Sequence, residues 1–340
     1  MSVQQPSQSI FQKRWKKFTR LKRGYYSFWV LIILYLLSFA LPVLVNNKAL
    51  VVYYEGNFFF PVVNYYSAET FDQPYFGEAH YRELAGTIQS DGWVIMPLYP
   101  YHPNESLLNE ISGQPPTSPS KIHFFGTDNR ARDVFARLLY GFNISVSFGI
   151  IVTFLSYCLG ILFGAILGYF GGKIDIFGQR FIEIFASLPF LYTMIIISSL
   201  LQPHFVLLVC LLTVFSWTAM TYYVRGEFYR EKGRDYALAA VSIGASPFRV
   251  MFKHILPNAL TPIITFAPFA VIGNIGSLVA LDFLGFGLAP PTPSWGELVN
   301  QGISDIRYWW LIAAPMVATF LTLLCITFVG EAIREAFDPK

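Results

Sequence analysis

Residues 142–170 read FNISVSFGIIVTFLSYCLGILFGAILGYF, with no Asp, Glu, Lys or Arg between Phe142 and Phe170. A bilayer core needs roughly 20 apolar residues in a helix, because no water is there to satisfy backbone N–H and C=O groups. The run exceeds that need and reads as a membrane span. Through it and just past its end runs the pattern Gly160-x3-Gly164-x3-Gly168-x3-Gly172. Residues four apart share a helix face, and glycines there let a second backbone approach closely. The pattern predicts a tight helix–helix seam and says little about substrate.

Outward from this run, five more stretches have spanning length: Tyr25 to Val45, Phe181 to Leu201, His204 to Val224, Ala259 to Leu281 and Trp309 to Val329. Phe181 to Val224 is too long for one helix in a bilayer, so Gln202-Pro203 reads as a break between two spans. Glu183 is the one formally charged side chain in all six. Only 13% of the 340 residues are charged, about half the share usual in a soluble domain, so much of the surface does not face water. The expected fold is an all-α polytopic membrane protein of six transmembrane helices, with a long extracytoplasmic insert between the first and second. Residues 1–24 form a basic cytoplasmic segment, 25–45 the first span, 46–141 the insert and 142–330 a five-helix core with a cytoplasmic loop at 225–258. Residues 331–340 form a cytoplasmic tail.

Charge placement orients the spans. Lys13, Arg14, Lys16, Lys17, Arg20, Lys22 and Arg23 precede the first with no acid among them, which puts the N-terminus inside. An even number of spans brings the C-terminus inside too. The loop from Arg225 to Asn258 then falls inside and is rich in Arg and Lys, whereas Asp282 to Tyr308 falls outside with a single Arg. The first span reads as retained rather than as a cleaved signal, since it has spanning length behind a long basic lead. A net charge of +3 is too small to point to nucleic acid.

The insert carries many aromatics, which argues for order, with a flexible joint expected near residues 112–120 at Gln114-Pro-Pro-Thr-Ser-Pro119. Pro189, Pro262, Pro268 and Pro315 interrupt three of the spans. Kinks there suit a channel that opens and closes, but they are common in membrane helices. Arg180 and Glu183, spaced i,i+3 at the mouth of the third span, suit either a gate or an ordinary interfacial ion pair. Cys158, Cys210 and Cys325 each lie in an apolar run, with no CxxC pattern, and read as core residues. The histidines at 80, 102, 123, 204 and 254 are scattered without metal-binding spacing.

The inner loop reads Asp235-Tyr-Ala-Leu-Ala-Ala-Val-Ser-Ile-Gly244-Ala-Ser246-Pro247-Phe-Arg-Val-Met-Phe-Lys-His254-Ile-Leu-Pro257-Asn258. It predicts two short helices at an angle. Asp235 caps the first, and Gly244 ends it in the left-handed conformation. Ser246 caps the second with Pro247 at its first position, and Pro257 ends it. An Ala-rich, apolar helix in a water-facing loop expects a partner's groove.

This segment resembles the signature loop of ABC-importer permeases, whose pattern is Glu-Ala-Ala, three residues, Gly, nine residues, Ile-x-Leu-Pro. Ala239, Ala240, Gly244, Leu256 and Pro257 stand at matching positions. Leu238 replaces the usual Glu and His254 the usual Ile, and the His-Ile-Leu-Pro-Asn ending is typical of the peptide and nickel branch. Three further stretches resemble that branch: Phe125–Gly141, with Ala131 where a Gly is usual; Leu281–Gly287 followed by Pro290–Gly296; and Gly330–Pro339. The first third, through Tyr53–Pro61, is similar to the microcin C-type subgroup of peptide permeases.

The resemblance implies one permease subunit of a bacterial inner-membrane importer for di- or oligopeptides or peptide-like compounds. Its partners would be a second homologous permease, two ATPase domains (separate or in one fused chain), a periplasmic solute-binding protein, the peptide substrate and membrane lipid, with no nucleic acid. The implied coupling residues are Asp235, Tyr236, Ala239, Ala240, Gly244, Ser246, Pro247, His254, Leu256 and Pro257. No P-loop exists, since Gly172-Lys173-Ile174 lacks both the leading Gly and the Ser/Thr. ATP and magnesium would therefore sit on the ATPase subunits, and the chain would be no enzyme and carry no cofactor. Other readings are a permease for another delivered solute such as nickel, or a stand-alone secondary transporter or channel. A stand-alone transporter usually places charged or unwound sites at mid-membrane, and an ABC exporter conflicts with the loop motif.

Overall fold

Apolar runs in a membrane must satisfy their backbone groups internally, and here they do so as helices. The computed structural model describes residues 10–88, 92–111 and 113–338. The start of the basic lead, Ser112 of the expected joint, and Pro339 with the end of the tail lie outside these. In chain order come α1 (Ile10–Arg20), α2 (Lys22–Ser38), α3 (Leu41–Leu44), β1 (Val51–Tyr54), β2 (Asn57–Phe59), α4 (Tyr81–Thr87) and β3 (Trp93–Ile95). Then follow α5 (Val134–Phe170), α6 (Gly172–Ser187), α7 (Phe190–Leu200), α8 (Phe205–Glu231), α9 (Asp235–Ser242), α10 (Pro247–Arg249), α11 (Leu256–Phe283), α12 (Trp295–Ile303) and α13 (Trp309–Phe337).

The polytopic helical class stands, with differences in how the spans are built. Among the described residues four helices are long and apolar enough to cross a membrane: Val134–Phe170, Phe205–Glu231, Pro247–Phe283 and Ile306–Phe337. The expected span from Phe181 to Leu201 is instead the pair α6 and α7, bent by 68° at their break and counting as a fifth span if taken together. Pro189 sits in the break, has no N–H to donate and would crowd the carbonyl of Phe185, four residues back. The first expected span is also divided. α2 stops at Ser38, four residues before Pro42, and α3 resumes after a turn.

The chain forms two compact units. One comprises Met1–Ile32, Ser145–Ala289 and Phe320–Lys340. Its core joins Ala165 of α5, Met220, Val224 and Phe228 of α8, Ala237 and Ala240 of α9, and Val250, Met251, Ile255, Ala259 and Ile263. The glycine seam lies here. A Cβ on Gly160 would stand 2.7 Å from that of Met220, one on Gly164 2.7 Å from that of Val224, and one on Gly168 2.6 Å from the Arg225 carbonyl. Gly172 is not in the seam. It follows the end of α5 with φ +52, beside Gly171 at φ +65, and the two make the turn into α6. Mid-helix, Asn274 donates to Thr153 at 2.9 Å and accepts from Ser216 at 3.3 Å, which keeps its amide satisfied away from water.

The other unit comprises Ile33–Ile144 and Pro290–Thr319, so the insert is grouped with the segment that follows α11. Its sheet has the order β2-β1-β3, antiparallel, with Val52 opposite both Phe59 and Val94. Val52 packs with Ala49, Phe71, Ala79, Tyr81 and Leu84, while Leu41, Val45, Tyr99, Tyr101, Leu107 and Ala136 form a second cluster. The Pro-rich stretch is tied down rather than loose. Thr117 N–H donates to Thr127 Oγ1 at 2.9 Å, and Thr127 N–H returns a bond to the Thr117 carbonyl at 3.0 Å.

Candidate functional site

Residues 234–258 form an elbow whose two arms meet at Gly244. The first arm, α9, begins with Arg234 at the N-cap, so Asp235 occupies the first turn rather than capping it. A carboxylate there still complements the positive end of the helix dipole. Gly244 has φ +83. Its N–H donates to the Val241 carbonyl at 2.9 Å, and Ala245 N–H donates to that of Ala240 at 3.0 Å. These two bonds are the Schellman closure, which satisfies carbonyls that would otherwise be orphaned at the helix end.

The second arm begins where Ser246 Oγ accepts the Arg249 N–H at 3.4 Å, with Pro247 in the first turn. Pro257 does not end it. The ladder widens to a π-turn over Val250–Ile255, with Leu256 N–H donating five residues back to Met251, and the helix continues as α11. A proline clashes with the carbonyl four residues before it, and a widened turn just upstream relieves that clash. The second arm is thus the leading end of a span.

The elbow is divided into a buried and an open face. Ala237, Ala240, Val250, Met251 and Ile255 lie in the core, and Leu256 packs partly against it. Leu238, Val241, Ile243 and Phe248 are exposed large apolar side chains on the other face, with Ile243 84% exposed. Ala239, Ser246 and Pro247 join that face, and His254 is half-buried on the π-turn. Tyr236 donates to Glu231 at 2.7 Å. Burial and this bond push its phenol up from the ordinary value, so the donor proton is held. A Cβ on Gly244 would meet nothing within 4 Å.

Nearby in the same unit, Arg225 forms a two-point ion pair with Asp175, which also accepts from Tyr229 at 3.1 Å. Sequence reasoning missed this tie between α6 and α8, whose partners lie 50 residues apart. Arg180 and Glu183 do pair, at 2.5 Å, but with side chains 75% and 49% exposed. In the last turn of α11, Asp282 Oδ1 accepts the N–H of Leu288 from the segment beyond the helix, at 2.6 Å. A Cβ on Gly287 would fall 1.8 Å from that oxygen, so the second glycine of Leu-Gly-Phe-Gly is sterically required.

In the other unit, two of the sequence motifs meet as one charged cluster. Asp128 accepts N–H bonds from Arg130 and Arg132 at 2.9 Å, and the Arg132 Nε at 2.7 Å. Glu297 of α12 takes Arg132 at 3.1 Å on one oxygen and Arg137 at 2.5 Å on the other. Burial pulls the Arg132 guanidinium down, but Asp128 and Glu297 outweigh it and raise it above its ordinary value. Asp133 accepts the Ala136 N–H at 2.8 Å at the start of α5. Ala131 adopts φ +56, so the strain that its missing glycine would relieve is present. The indole Nε1–H of Trp295 donates to the Leu138 carbonyl at 3.0 Å, its ring lying over Gly141. Among the described residues no three His, Cys, Asp or Glu side chains gather as a metal site.

Residues 160–340 match the family described as "Binding-protein-dependent transport system inner membrane component". The inner membrane ABC transporter permease protein YejE of Escherichia coli (strain K12) is 39% identical over 97% of each chain. The peptidoglycan transport system permease protein YejE of Agrobacterium fabrum is 37% identical over 97% of this chain and 93% of its own. The dipeptide transport system permease protein DppC of Bacillus subtilis is 33% identical over 73% of this chain and 78% of its own.

Proposed function

The chain belongs to the family of binding-protein-dependent transport system inner membrane components, and from that premise we propose that it is a permease subunit of an ATP-driven importer of peptides or peptide-like compounds. The names of its relatives, which include dipeptide and peptidoglycan transport permeases, support that substrate class. The subunit works in the bacterial inner membrane with both termini in the cytoplasm. It pairs with a second, homologous permease, two ATPase domains and a periplasmic binding protein that delivers the solute. ATP and magnesium are bound by the ATPase, and this chain performs no chemistry of its own.

The observation that carries the reading is the two-sided elbow. Exposed Leu238, Val241, Ile243 and Phe248 suit a groove on a partner, and the opposite face is locked to α5, α8 and α11. A pull on such an elbow moves spans rather than a loop. ATP-driven closure of the ATPase dimer drags the elbow and opens the cavity outward to receive peptide; hydrolysis returns it. Coupling of this kind requires contacts with the ATPase that differ between the two states. The bend between α6 and α7, with Arg180 and Glu183 on its near arm, is the element we assign to gating. The insert is assigned to contact with the binding protein or the partner permease.

Gly244→Asp tests the docking role. Asp tolerates left-handed φ better than most residues, and among the described residues a Cβ at position 244 meets nothing within 4 Å. The variant is expected to insert and fold, to lose co-purification with the ATPase and to lose uptake. Uptake at the wild-type rate would refute the assignment.

A further inference from the structure

The break between α6 and α7 borders a cavity of about 340 Å³. Phe185 and Leu188 line it on one side of the break, Phe190 on the other, Phe215 from α8 and Ser277 from α11. Phe190 meets Phe215 edge to face, with ring centres 5.4 Å apart. Among the described residues no charged side chain lines the cavity. Of its three hydroxyl residues, two are engaged: Ser216 donates to Asn274 at 3.3 Å and Thr218 to the Phe215 carbonyl at 3.2 Å. The third, Ser277, lies about one turn beyond Asn274 on α11 and makes no side-chain hydrogen bond among the described residues. Leu188 and Pro189 are extended between the two halves of the bent span. Non-helical backbone at membrane depth persists only against protein or water. An acyl chain in the cavity would leave both that backbone and Ser277 unpaired.

We propose that this cavity is a subsite on the transport path for one aromatic or large aliphatic residue of the passing peptide, an assignment that rests on the peptide-importer reading above. The side chain lies among Phe185, Phe190 and Phe215, and the peptide's backbone bonds to the Ser277 hydroxyl. Ligand sites run from roughly 300 to 1,000 Å³, so a cavity at the lower end takes one or two residues rather than an extended chain. A charged side chain would be desolvated there without a counter-charge. α8 and α11 also contribute Met220, Val224, Ala259 and Ile263 to the core of the elbow. Movement of the elbow therefore shifts Phe215 and Ser277 against Phe185 and Phe190, which gives the cycle a means of releasing the residue.

The complete transporter, reconstituted in vesicles with its ATPase and binding protein, tests the subsite. A tripeptide with photo-leucine at its centre, illuminated during ATP-driven uptake, is expected to label residues 185–190 or 212–218 of the wild-type chain. Labelling of lipid alone, or only of other parts of the complex, would overturn the proposal. Ala186→Trp puts a large side chain into the cavity lining. It should lower uptake of Ala-Phe-Ala at least about tenfold more than that of Ala-Ala-Ala. The binding protein is the same with either chain, so its own preference cancels in that comparison. An equal fall for the two peptides, in a variant that still co-purifies with the ATPase, would overturn the subsite and leave the importer reading standing. Uptake of neither peptide by wild type would count against the importer reading itself, and the subsite would fall with it. A photo-crosslinker at position 188 that captures the partner permease would mean that a protein side chain fills the cavity, and would overturn the proposal too.

Discussion

Arg137 is fully buried, Arg132 nearly so, and their counter-charges come from Asp128 and Glu297, with the carbonyls of Pro103, Pro291 and Thr292 taking further Arg137 N–H groups. Two acids against two bases leave the set neutral, the condition under which charges persist out of water. Removing one member is costly because it strands another. Glu297→Gln is expected to destabilise the protein by about 3–5 kcal/mol, seen as a lower thermal midpoint in detergent. Glu183→Gln breaks an exposed pair and should cost at most about 1 kcal/mol; equal effects would mean that the cluster is wetter than the structure has it. Little of this was legible beforehand. Arg137 and Glu297 are 160 positions apart, and no periodicity or spacing rule reaches across that distance. Ala131 was readable as a conflict, since the turn wants a glycine, but only the backbone shows that strain rather than rearrangement resolves it.

At the scale of elements, the seam between α5 and α8 is a backbone contact made possible by absent side chains. Gly164→Leu would put a Cβ 2.7 Å from that of Val224 and 2.8 Å from the Thr221 carbonyl. Neither neighbour is a flexible tip, so the helices must part. A loss of about 1–3 kcal/mol or more is expected, measured as a lower yield of folded protein and a lower melting temperature. A Cβ at Gly172 meets nothing within 4 Å, so Gly172→Ala should cost only the strain of its positive φ, about 1–2 kcal/mol. The four-residue spacing predicted the seam and overran it by one glycine, because spacing alone does not mark where the helix stops. Hydropathy likewise found the apolar lengths but not their direction. Pro42 and Pro189 break helices within stretches of spanning length, whereas Pro257 is absorbed by a π-turn. The elbow was the most legible element, because Gly244, Ser246 and Pro247 act locally, but its Ala-rich face was expected against a partner, whereas Ala237 and Ala240 pack into this unit's own core.

Across the whole molecule, the sheet-bearing lobe leaves and re-enters the chain at one place, where Leu50 N–H donates to the Ile95 carbonyl at 2.8 Å. Its cluster around Val52 draws only on residues 49–96, and its main tie beyond them is Arg82, paired with Glu105 and Glu110. Replacing residues 51–94 by a short Gly/Ser linker should therefore give a chain that inserts and runs as a single species on size exclusion. Loss of uptake in that chain, with ATPase co-purification retained, is the expected result if the lobe receives the binding protein. Full uptake would remove the lobe from the transport cycle. Composition indicated that the insert is ordered but not that it carries a sheet, since its strands are short and β3 joins β1 from far along the chain, although β2 follows β1 through a tight turn. The π-turn that carries Pro247 into Phe283 without a stop has a mechanical corollary. At 37 residues and 1.5 Å per residue, this rod is about 55 Å long. A few degrees of tilt imposed at its leading tip reappear as several ångströms of travel at the far one. A span driven at that tip would act as its own displacement amplifier, with a stroke set by how stiff the rod remains under load at the widened turn and at Pro262 and Pro268.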